Sequence, residues 1–181
     1  MWIFFIIIAL LAVMIIGIFN IFIKRRMHVR EAWSGIDVQL KRRHDLIPNL
    51  VEVVKGYMQY ERTTLERVTA LRSSAVTPAG LKDTAALEND ISKAIKAILV
   101  LAENYPKLKA SEQFLSLQKN LIAVEDELQL ARRYYNGTVR DYNIAIQAFP
   151  NIILAKALNF QNEEFFEIEI ATERNVPEAK F

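Results

Sequence analysis

The densest group of chemically capable side chains is Arg42-Arg43-His44-Asp45. A histidine among charged neighbours can titrate near neutral pH, and adjacent guanidinium groups can bind a phosphate. The same residues also fit a solvated helix face with local ion pairs, in which Arg43 or His44 contacts a neighbouring helix. We favour this structural interpretation. Arg140 and Asp141, on a distant helical segment, are candidate partners because long antiparallel helices bring distant sequence together.

The residue types that most enzymes and metal sites require are scarce. The chain has no cysteine, which removes thiol nucleophiles and thiolate metal sites, and its two histidines, His28 and His44, do not form an HExxH motif. The sequence also contains no glycine-rich phosphate loop and no GxSxG motif. We therefore expect no enzymatic activity, no cofactor and no metal site.

The C-terminal end is acidic and contains two adjacent aromatic residues. From Gln161 onward, six glutamates stand against two basic residues. Such a group could bind a divalent cation, but flexible carboxylates on a tail are usually hydrated instead, and we expect no metal there. Phe165 and Phe166 interrupt the acidic run and are candidate structural or subunit contacts.

The first 23 residues form one uninterrupted apolar run, in which Asn20 is the only strongly polar residue. At about 1.5 Å per residue, a helix of this length crosses a hydrocarbon core of roughly 30 Å. A cleaved signal peptide fits less well, because no basic residue precedes the run and no small-x-small motif ends it. The sequence therefore predicts a single transmembrane anchor over 1–23.

Positive charge lies on one side of this anchor only. Lys24, Arg25, Arg26 and Arg30 follow the apolar run, whereas its other flank offers only the α-amino group. The positive-inside rule then places the N-terminus outside and residues 24–181 in the cytoplasm, at a bacterial inner membrane. The four basic residues would contact anionic headgroups, at about 1 kcal/mol each near the surface. A C-terminal reporter detected on the outer side would contradict this orientation.

Nucleic acid is not the expected partner of these basic residues. Seven basic residues lie between Lys24 and Asp45, and the rest of the soluble part is slightly acidic. The cluster is short, it adjoins the anchor, and no aromatic residue interrupts its first part, 24–30. Nucleic-acid surfaces are typically more extensive and combine base-stacking aromatics with positive charge.

Three segments carry apolar residues at helical spacing, which predicts a shared bundle core. The clearest segment, about 108–149, alternates steps of three and four over five repeats. Its stripe consists of Phe114, Leu117, Leu121, Val124, Leu128, Ala131, Tyr135, Thr138, Tyr142, Ala145 and Phe149. Segments 28–74 and 81–104 carry similar stripes, with Arg43 and Glu61 at two positions of the first. We expect an all-α fold: a single N-terminal transmembrane helix followed by an antiparallel bundle of long helices.

The sequence also predicts where the first helix continues and where the helices are interrupted. Nothing between Ile23 and Glu31 breaks a helix, so the anchor should continue into the first soluble helix. Pro48 lacks a backbone donor and disfavours helix for the residue before it, which predicts a kink or short break between 24–46 and 49–74. Pro150 should end the bundle.

The chain thus divides into an anchor over 1–23, a cytoplasmic bundle over 24–150, and a final part over 151–181. The final part begins with an apolar stretch, 151–160, before the acidic tail. We interpret the stretch as a short helix that caps the bundle. A segment that seeks the membrane surface or docks a subunit remains the alternative.

Several blocks of this sequence resemble the signature of the LemA family. The run from Glu31 to Val51, EAWSGIDVQLKRRHDLIPNLV, resembles it most clearly, followed by the block from Tyr135 to Pro150 and the ending VPEAKF. The resemblance covers nearly the whole chain in order. The residues after Pro150 are less glycine-rich than the family pattern.

The resemblance implies one N-terminal membrane helix, a cytoplasmic antiparallel bundle and no established enzymatic activity. One branch of the family resembles magnetosome proteins implicated in membrane shaping, which implies a role at membranes by analogy. The recurring blocks around Arg42–Asp45 and Arg140–Asn143 then fit a contact within or between subunits rather than catalysis.

Two functions remain open on this basis. The first is a self-assembling membrane scaffold, in which the acidic tail of one copy docks on the basic residues of its neighbour and the assembly organises or shapes membrane. The second is an adaptor or regulator that binds another membrane protein, such as a protease or transporter. A large homo-oligomer favours the first, and a monomer with a stoichiometric partner favours the second.

Overall fold

A computed structural model describes residues 1–57, 62–75 and 80–166. Within these ranges every regular element is an α-helix, which confirms the predicted all-α fold. The helices are α1 (Trp2–Lys55), α2 (Arg62–Ser74), α3 (Leu81–Ala102), α4 (Pro106–Lys109), α5 (Glu112–Gln147) and α6 (Asn151–Ala157).

Helix α1 joins the apolar run to the soluble part without a break. It contains 54 residues and is long and apolar enough to cross a membrane. The expected continuity between the anchor and the first soluble helix is therefore confirmed.

Of the kink or short break predicted at Pro48, the break is wrong, since α1 continues through Pro48 to Lys55, and the kink stays a prediction. A proline in a helix leaves the carbonyl four residues earlier without its usual N–H donor. Here that carbonyl belongs to His44, and it accepts a hydrogen bond of 3.0 Å from Nε of Arg72 on α2. A side chain from another helix thus replaces the donor that Pro48 lacks.

The long helix expected over 28–74 ends at Lys55 instead. Gly56 and Tyr57 form a turn, closed by a 3.0 Å hydrogen bond from the Tyr57 amide to the Val54 carbonyl. Glycine is a weak helix former, so Gly56 favours an end of the helix at this point. Glu61, expected on the stripe of this segment, lies outside the described residues.

The chain divides into two compact units, and the first, the anchor unit, comprises Met1–Gln39 and Glu127–Phe165. Its parts of α1 and α5 run antiparallel: Arg25 lies beside Asp141, and the ring of Trp33 packs edge-on against Tyr135 with centroids 5.6 Å apart. The buried apolar residues of this unit include Phe22, Val29, Ala32, Ile36, Leu128, Tyr135, Val139, Tyr142, Ile146 and Ala155.

The second unit, the bundle unit, comprises the described residues of Leu40–Asp126 together with Phe166. Helices α2 and α3 pack against each other, and short α4 adjoins α3. One apolar core joins all five helical parts. It contains Ile47, Leu50, Val51, Val54, Leu65, Val68, Ile91, Ala94, Ile95, Ile98, Ala102, Leu108, Phe114, Leu117 and Leu121.

The buried stripe of α5 follows the predicted one completely as far as Leu128, and beyond it the predicted Tyr135 and Tyr142 are buried as well. The other positions move by one residue, so that Arg132, Val139 and Ile146 are buried in place of Ala131, Thr138 and Ala145. Two consecutive steps of four around Leu128 produce this shift, which is a stutter in the heptad pattern. The expected Ala131, Thr138 and Ala145 are half-buried, and Phe149 is exposed.

Candidate functional site

The four residues expected at the membrane surface, Lys24, Arg25, Arg26 and Arg30, are all exposed on α1. Two of them also face acidic groups of the anchor unit. Nη1 of Arg25 lies 4.0 Å from Oδ2 of Asp141, and Nε of Arg26 lies 3.4 Å from Oε1 of Glu163. Exposed pairs of this kind contribute at most about 1 kcal/mol and leave the arginines able to contact headgroups.

Side chains of α5 hold the first part of the acidic tail in place. Asn143 makes a reciprocal pair with Glu163: its Nδ2 donates to the Glu163 carbonyl at 2.9 Å, and its Oδ1 accepts from the Glu163 amide at 3.0 Å. The Tyr142 hydroxyl donates to the Gln161 carbonyl at 3.1 Å. These bonds satisfy backbone groups in a segment without helix, so residues 161–164 bind to their own chain.

Tyr135 completes this set of hydrogen bonds. Its hydroxyl donates to the Glu164 carbonyl at 3.0 Å. Burial, with the nearby carboxylates of Glu163 and Glu164, raises the pKa of Tyr135 to about 12. The phenol therefore stays protonated and remains a donor at any physiological pH. Tyr135, Tyr142 and Asn143 belong to the second sequence block singled out above, and fixing the tail is their structural role.

The adjacent aromatic residues of the tail have different surroundings. Phe165 is 40% exposed, whereas Phe166 is 2% exposed. Phe166 is thus a buried structural residue of its own chain, and Phe165 keeps a surface for contact. The later glutamates of the tail, from Glu167 onward, lie outside the described residues. The expected docking of that part of the tail on a neighbouring copy therefore stays a prediction.

A buried charge cluster forms around Arg43 in the bundle unit. Arg43 is 1% exposed and Glu88 of α3 is 2% exposed. Nη2 of Arg43 pairs with the Glu88 carboxylate, while Nη1 donates to Ser92 Oγ at 2.7 Å and to Glu125 Oε2 at 3.0 Å. A buried charge is tolerated only when it is paired and hydrogen-bonded, and here α3 and α5 supply the partners.

The partners of Arg43 differ from those expected from the sequence. Arg140 and Asp141 were the predicted partners, but Asp141 lies near Arg25 and Arg140 in the anchor unit. Arg42 and Asp45 are exposed on α1. Of the four consecutive residues, only Arg43 and His44 turn towards neighbouring helices, as the structural interpretation predicts.

His44 extends the cluster towards the surface. Its Nε2 lies 2.9 Å from Oε1 of Glu88, and its side chain is 17% exposed. Burial, followed by the positive charges of Arg43 and Arg72, lowers the pKa of His44, while Asp45 acts weakly in the opposite direction. His44 is therefore a neutral donor to Glu88 at pH 7.

Lowering the pH below about 6.5 should reduce the stability of the bundle unit. The unfolded chain then binds a proton at His44 that the folded chain does not, so the free energy of unfolding falls as pH falls and levels off below the folded-state pKa. Denaturant titrations of wild type and His44→Gln between pH 5 and 8 measure this. His28→Gln is the matched control, since His28 is the other histidine and is 48% exposed beside Glu31. An unchanged pH slope in His44→Gln would contradict the assignment.

The cluster has few of the features of a reaction centre. The hydrogen bonds described for Arg43 go to Glu88, Ser92 and Glu125 of the same chain, which does not favour a phosphate site at this position. Within 1–57, 62–75 and 80–166, no group of three histidine or acidic side chains is placed to hold a metal ion. The arrangement can join helices α1, α3 and α5 by charge, and it couples α1 to α2 through Arg72.

Sequence reasoning missed Glu88, Ser92, Glu125 and Arg72. One signal could have found Glu88. It lies three residues before Ile91, on the apolar stripe of α3, just as Arg43 occupies the stripe of α1. Opposite charges at core positions of two helices indicate an internal ion pair. Ser92, Glu125 and Arg72 carry no comparable signal, because their contacts depend on how the helices pack.

Comparison with known proteins identifies the family. The family model described as "LemA family" matches residues 32–181. Protein LemA of Metamycoplasma hominis is 27% identical over 154 residues, covering 84% of this chain and 70% of that protein.

Magnetosome proteins are also similar to this chain. Magnetosome protein MamQ of Magnetospirillum gryphiswaldense is 21% identical over 174 residues, and MamQ 2 of Paramagnetospirillum magneticum is 20% identical over 175 residues. This chain spans 64% of the length of each of these two proteins. Since the family model covers most of the chain, and one long apolar helix is joined to helical units, this is a membrane-associated helical protein that belongs to the LemA family.

Proposed function

We propose that this chain is a non-enzymatic membrane scaffold that assembles with copies of itself and so organises the membrane around it. The contact between copies uses the outer face of α5, defined by Leu115, Ile122, Leu130, Tyr134 and Ile144. The observation that supports the proposal is that this helix carries a second apolar stripe, exposed and opposite its buried one.

The position of the second stripe follows from helix geometry. At 3.6 residues per turn, the five residues fall within an arc of about 120°, on the side opposite Leu128, Tyr135 and Tyr142. Each is 48–59% exposed. Scattered exposed apolar residues are common on soluble proteins, but an aligned series on one helix is typical of a contact surface.

Three charged residues within the outer face favour contact with a second copy of this chain. Lys119, Asp126 and Arg133 are exposed there at intervals of seven residues and alternate in sign. Two copies offset by one heptad would therefore place opposite charges against each other, beside the apolar residues. Offset contacts of this kind leave a free surface at each end, which permits rings or filaments.

The membrane part of the proposal rests on α1. Its apolar part indicates membrane anchoring, and the basic residues that follow it favour a single-pass protein of the inner membrane with a cytoplasmic C-terminal part. Lys24 and Arg30 are exposed, and they would contact anionic headgroups together with Arg25 and Arg26.

Disulfide cross-linking in membranes tests the contact directly. The chain has no cysteine, so Ala123→Cys and Leu130→Cys can be combined as the only two thiols, one heptad apart on the outer face, where an offset of one heptad brings them together between copies. Ala123→Cys combined with Val100→Cys is the matched control, since Val100 is an exposed apolar residue on α3. Mild oxidation should produce covalent oligomers of the first double variant and leave the control monomeric. Cross-linking of both double variants to the same extent, or of neither, would exclude this offset contact.

An adaptor function is the second candidate, and a groove in the bundle unit favours it. The open groove has a volume of about 780 Å³ and is lined by Asn49, Glu52, Tyr57, Glu112 and neighbouring residues of α1 and α5. Its two carboxylates suit a basic segment of another membrane protein. Charge reversal at Glu52 and Glu112 should then abolish capture of a stoichiometric partner. Retained capture would remove the groove from consideration.

A further inference from the structure

The segment 149–158, which connects α5 to the tail and includes α6, exposes an unusual amount of apolar surface. Phe149 is 82% exposed, Ile153 is 61% exposed and Leu158 is 47% exposed. Such a group of large apolar side chains in a segment of ten residues is unfavourable in water. Its surroundings within the anchor unit indicate which partner covers it.

The chain directly after this segment packs on the anchor itself. The ring of Phe160 lies edge-on to Phe22 and Phe19, with centroid distances of 5.1 and 6.1 Å. Phe22 is completely buried and Ile18 nearly so, although both belong to the apolar run expected to face lipid. The end of the anchor is therefore covered by protein on one side.

A defined turn directs Phe160 onto the anchor. Asn159 has a φ of 56°, in the left-handed region that asparagine tolerates better than most residues. The Phe160 amide donates to the Ala155 carbonyl at 2.9 Å and the Asn159 amide donates to the Lys156 carbonyl at 3.2 Å. This pair of bonds is a Schellman motif, which ends α6 and fixes the segment beside α1.

The register of α1 and α5 gives the depth of the segment. The contacts Arg25–Asp141 and Trp33–Tyr135 show that α1 and α5 run antiparallel, and they define the register of the two helices to within about two residues. Extended to the end of α5, this register places Gln147 opposite Asn20, four residues before the first basic residue, Lys24. At a rise of 1.5 Å per residue, α5 ends roughly 6 Å beyond Lys24 towards the apolar part of the anchor.

We propose that residues 149–158 insert into the lipid at the boundary between headgroups and acyl chains, as a second membrane contact beside the anchor. Amphipathic segments that lie in this plane bury their apolar side chains roughly 5–10 Å deep. Phe149, Ile153 and Leu158 supply those side chains, and exposed Lys156 is available to an anionic headgroup. The apolar surface of the segment is continuous with that of the anchor through Phe160.

This contact adds a property that a single anchor lacks. A helix that crosses the bilayer without any other membrane contact can rotate about its own axis. A second segment of the same unit, inserted into the bilayer beside the helix, would restrict this rotation. The anchor unit would then be held in a fixed orientation in each copy. The inference is independent of self-assembly, because it requires only one copy and a bilayer.

Spin-label accessibility measures the depth of the segment in the full-length protein. Ile153→Cys is labelled and reconstituted at high lipid excess in vesicles of phosphatidylethanolamine and phosphatidylglycerol. Ile15→Cys, within the anchor, gives the lipid reference, and Val38→Cys, an exposed residue of α1 beyond the basic residues, gives the water reference. Collisions with oxygen and with a water-soluble nickel chelate are then compared for the three labels.

The label at position 153 should behave like the lipid reference, with strong oxygen collisions and few nickel collisions. Behaviour like the water reference would overturn the proposal, because the segment would then lie in solution. Weak collisions with both reagents would also overturn it, since a second copy or another protein would then cover the segment instead of lipid.

Discussion

Replacing Arg43 by methionine is expected to destabilise the protein by roughly 3–5 kcal/mol, the cost of leaving one partner of a buried ion pair uncompensated. The unpaired partner would be Glu88, which is 2% exposed. Ser92 and Glu125 would lose a donor as well. Chemical denaturation of the full chain in mild detergent, followed by helical circular dichroism, measures the change.

The neighbouring arginine provides the control for this prediction. Arg42 is exposed on the same turn of α1, so Arg42→Met should change stability by no more than about 0.5 kcal/mol. The double variant Arg43→Met with Glu88→Leu should recover most of the loss, since apolar replacement of a whole buried pair is often neutral. Equal effects of the two single variants would contradict the buried cluster.

The second large effect is expected at Leu128, on the buried stripe of α5. Leu128 is completely buried, and truncation to alanine should cost about 2–5 kcal/mol through lost burial and the cavity left behind. Under conditions where the Leu128→Ala variant is folded, it should self-associate to the same extent as the wild type. Denaturation midpoints report the stability and particle mass reports the self-association, and both are measured on the same preparation.

Leu130, two residues further along, should behave in the opposite way. It lies on the outer face and is 53% exposed, so Leu130→Glu should change stability by no more than about 0.5 kcal/mol. A buried carboxylate in a contact between copies is costly, and assembly should therefore be lost. A fully assembled Leu130→Glu particle would show that the outer face of α5 is not the contact, whatever the effect at Leu128.

The helical architecture was predictable because it depends on local patterns. The apolar run, the absence of helix breakers after Ile23 and the spacing of apolar residues on α5 all act over one or two helical turns. The shift after Leu128 escaped prediction because strict alternation selected Ala131, Thr138 and Ala145. The bulkier neighbours Val139 and Ile146 bury more apolar surface, and they occupy the core instead.

The contacts that depend on distant residues were less predictable. Pro48 disfavours a helix when only local sequence is considered, but the donor that compensates it comes from Arg72 on α2. Arg43 was recognised as a charged residue on an apolar stripe, but its partners were not. Pairing between Arg43 and Glu125, 82 positions apart, is fixed only once α1 and α5 have packed.

The tail shows the same difference between local patterns and contacts that depend on distant residues. Its acidity indicated a partner of opposite charge, and docking on a neighbouring copy was one of the predictions. The structure pairs Glu163 with Arg26 of the same chain and holds its backbone through Asn143, while docking between copies stays a prediction. Charge alone could not distinguish the two, because an intramolecular pair and a contact between copies use the same residue types.

The mass of the full-length protein in mild detergent measures self-assembly itself. Light scattering, with electron micrographs of the same fractions, should show a particle of many copies with a regular outline, and Leu130→Glu should reduce it to a monomer. A monomer or dimer of the wild-type chain at all concentrations would contradict the scaffold, and the adaptor function would take its place.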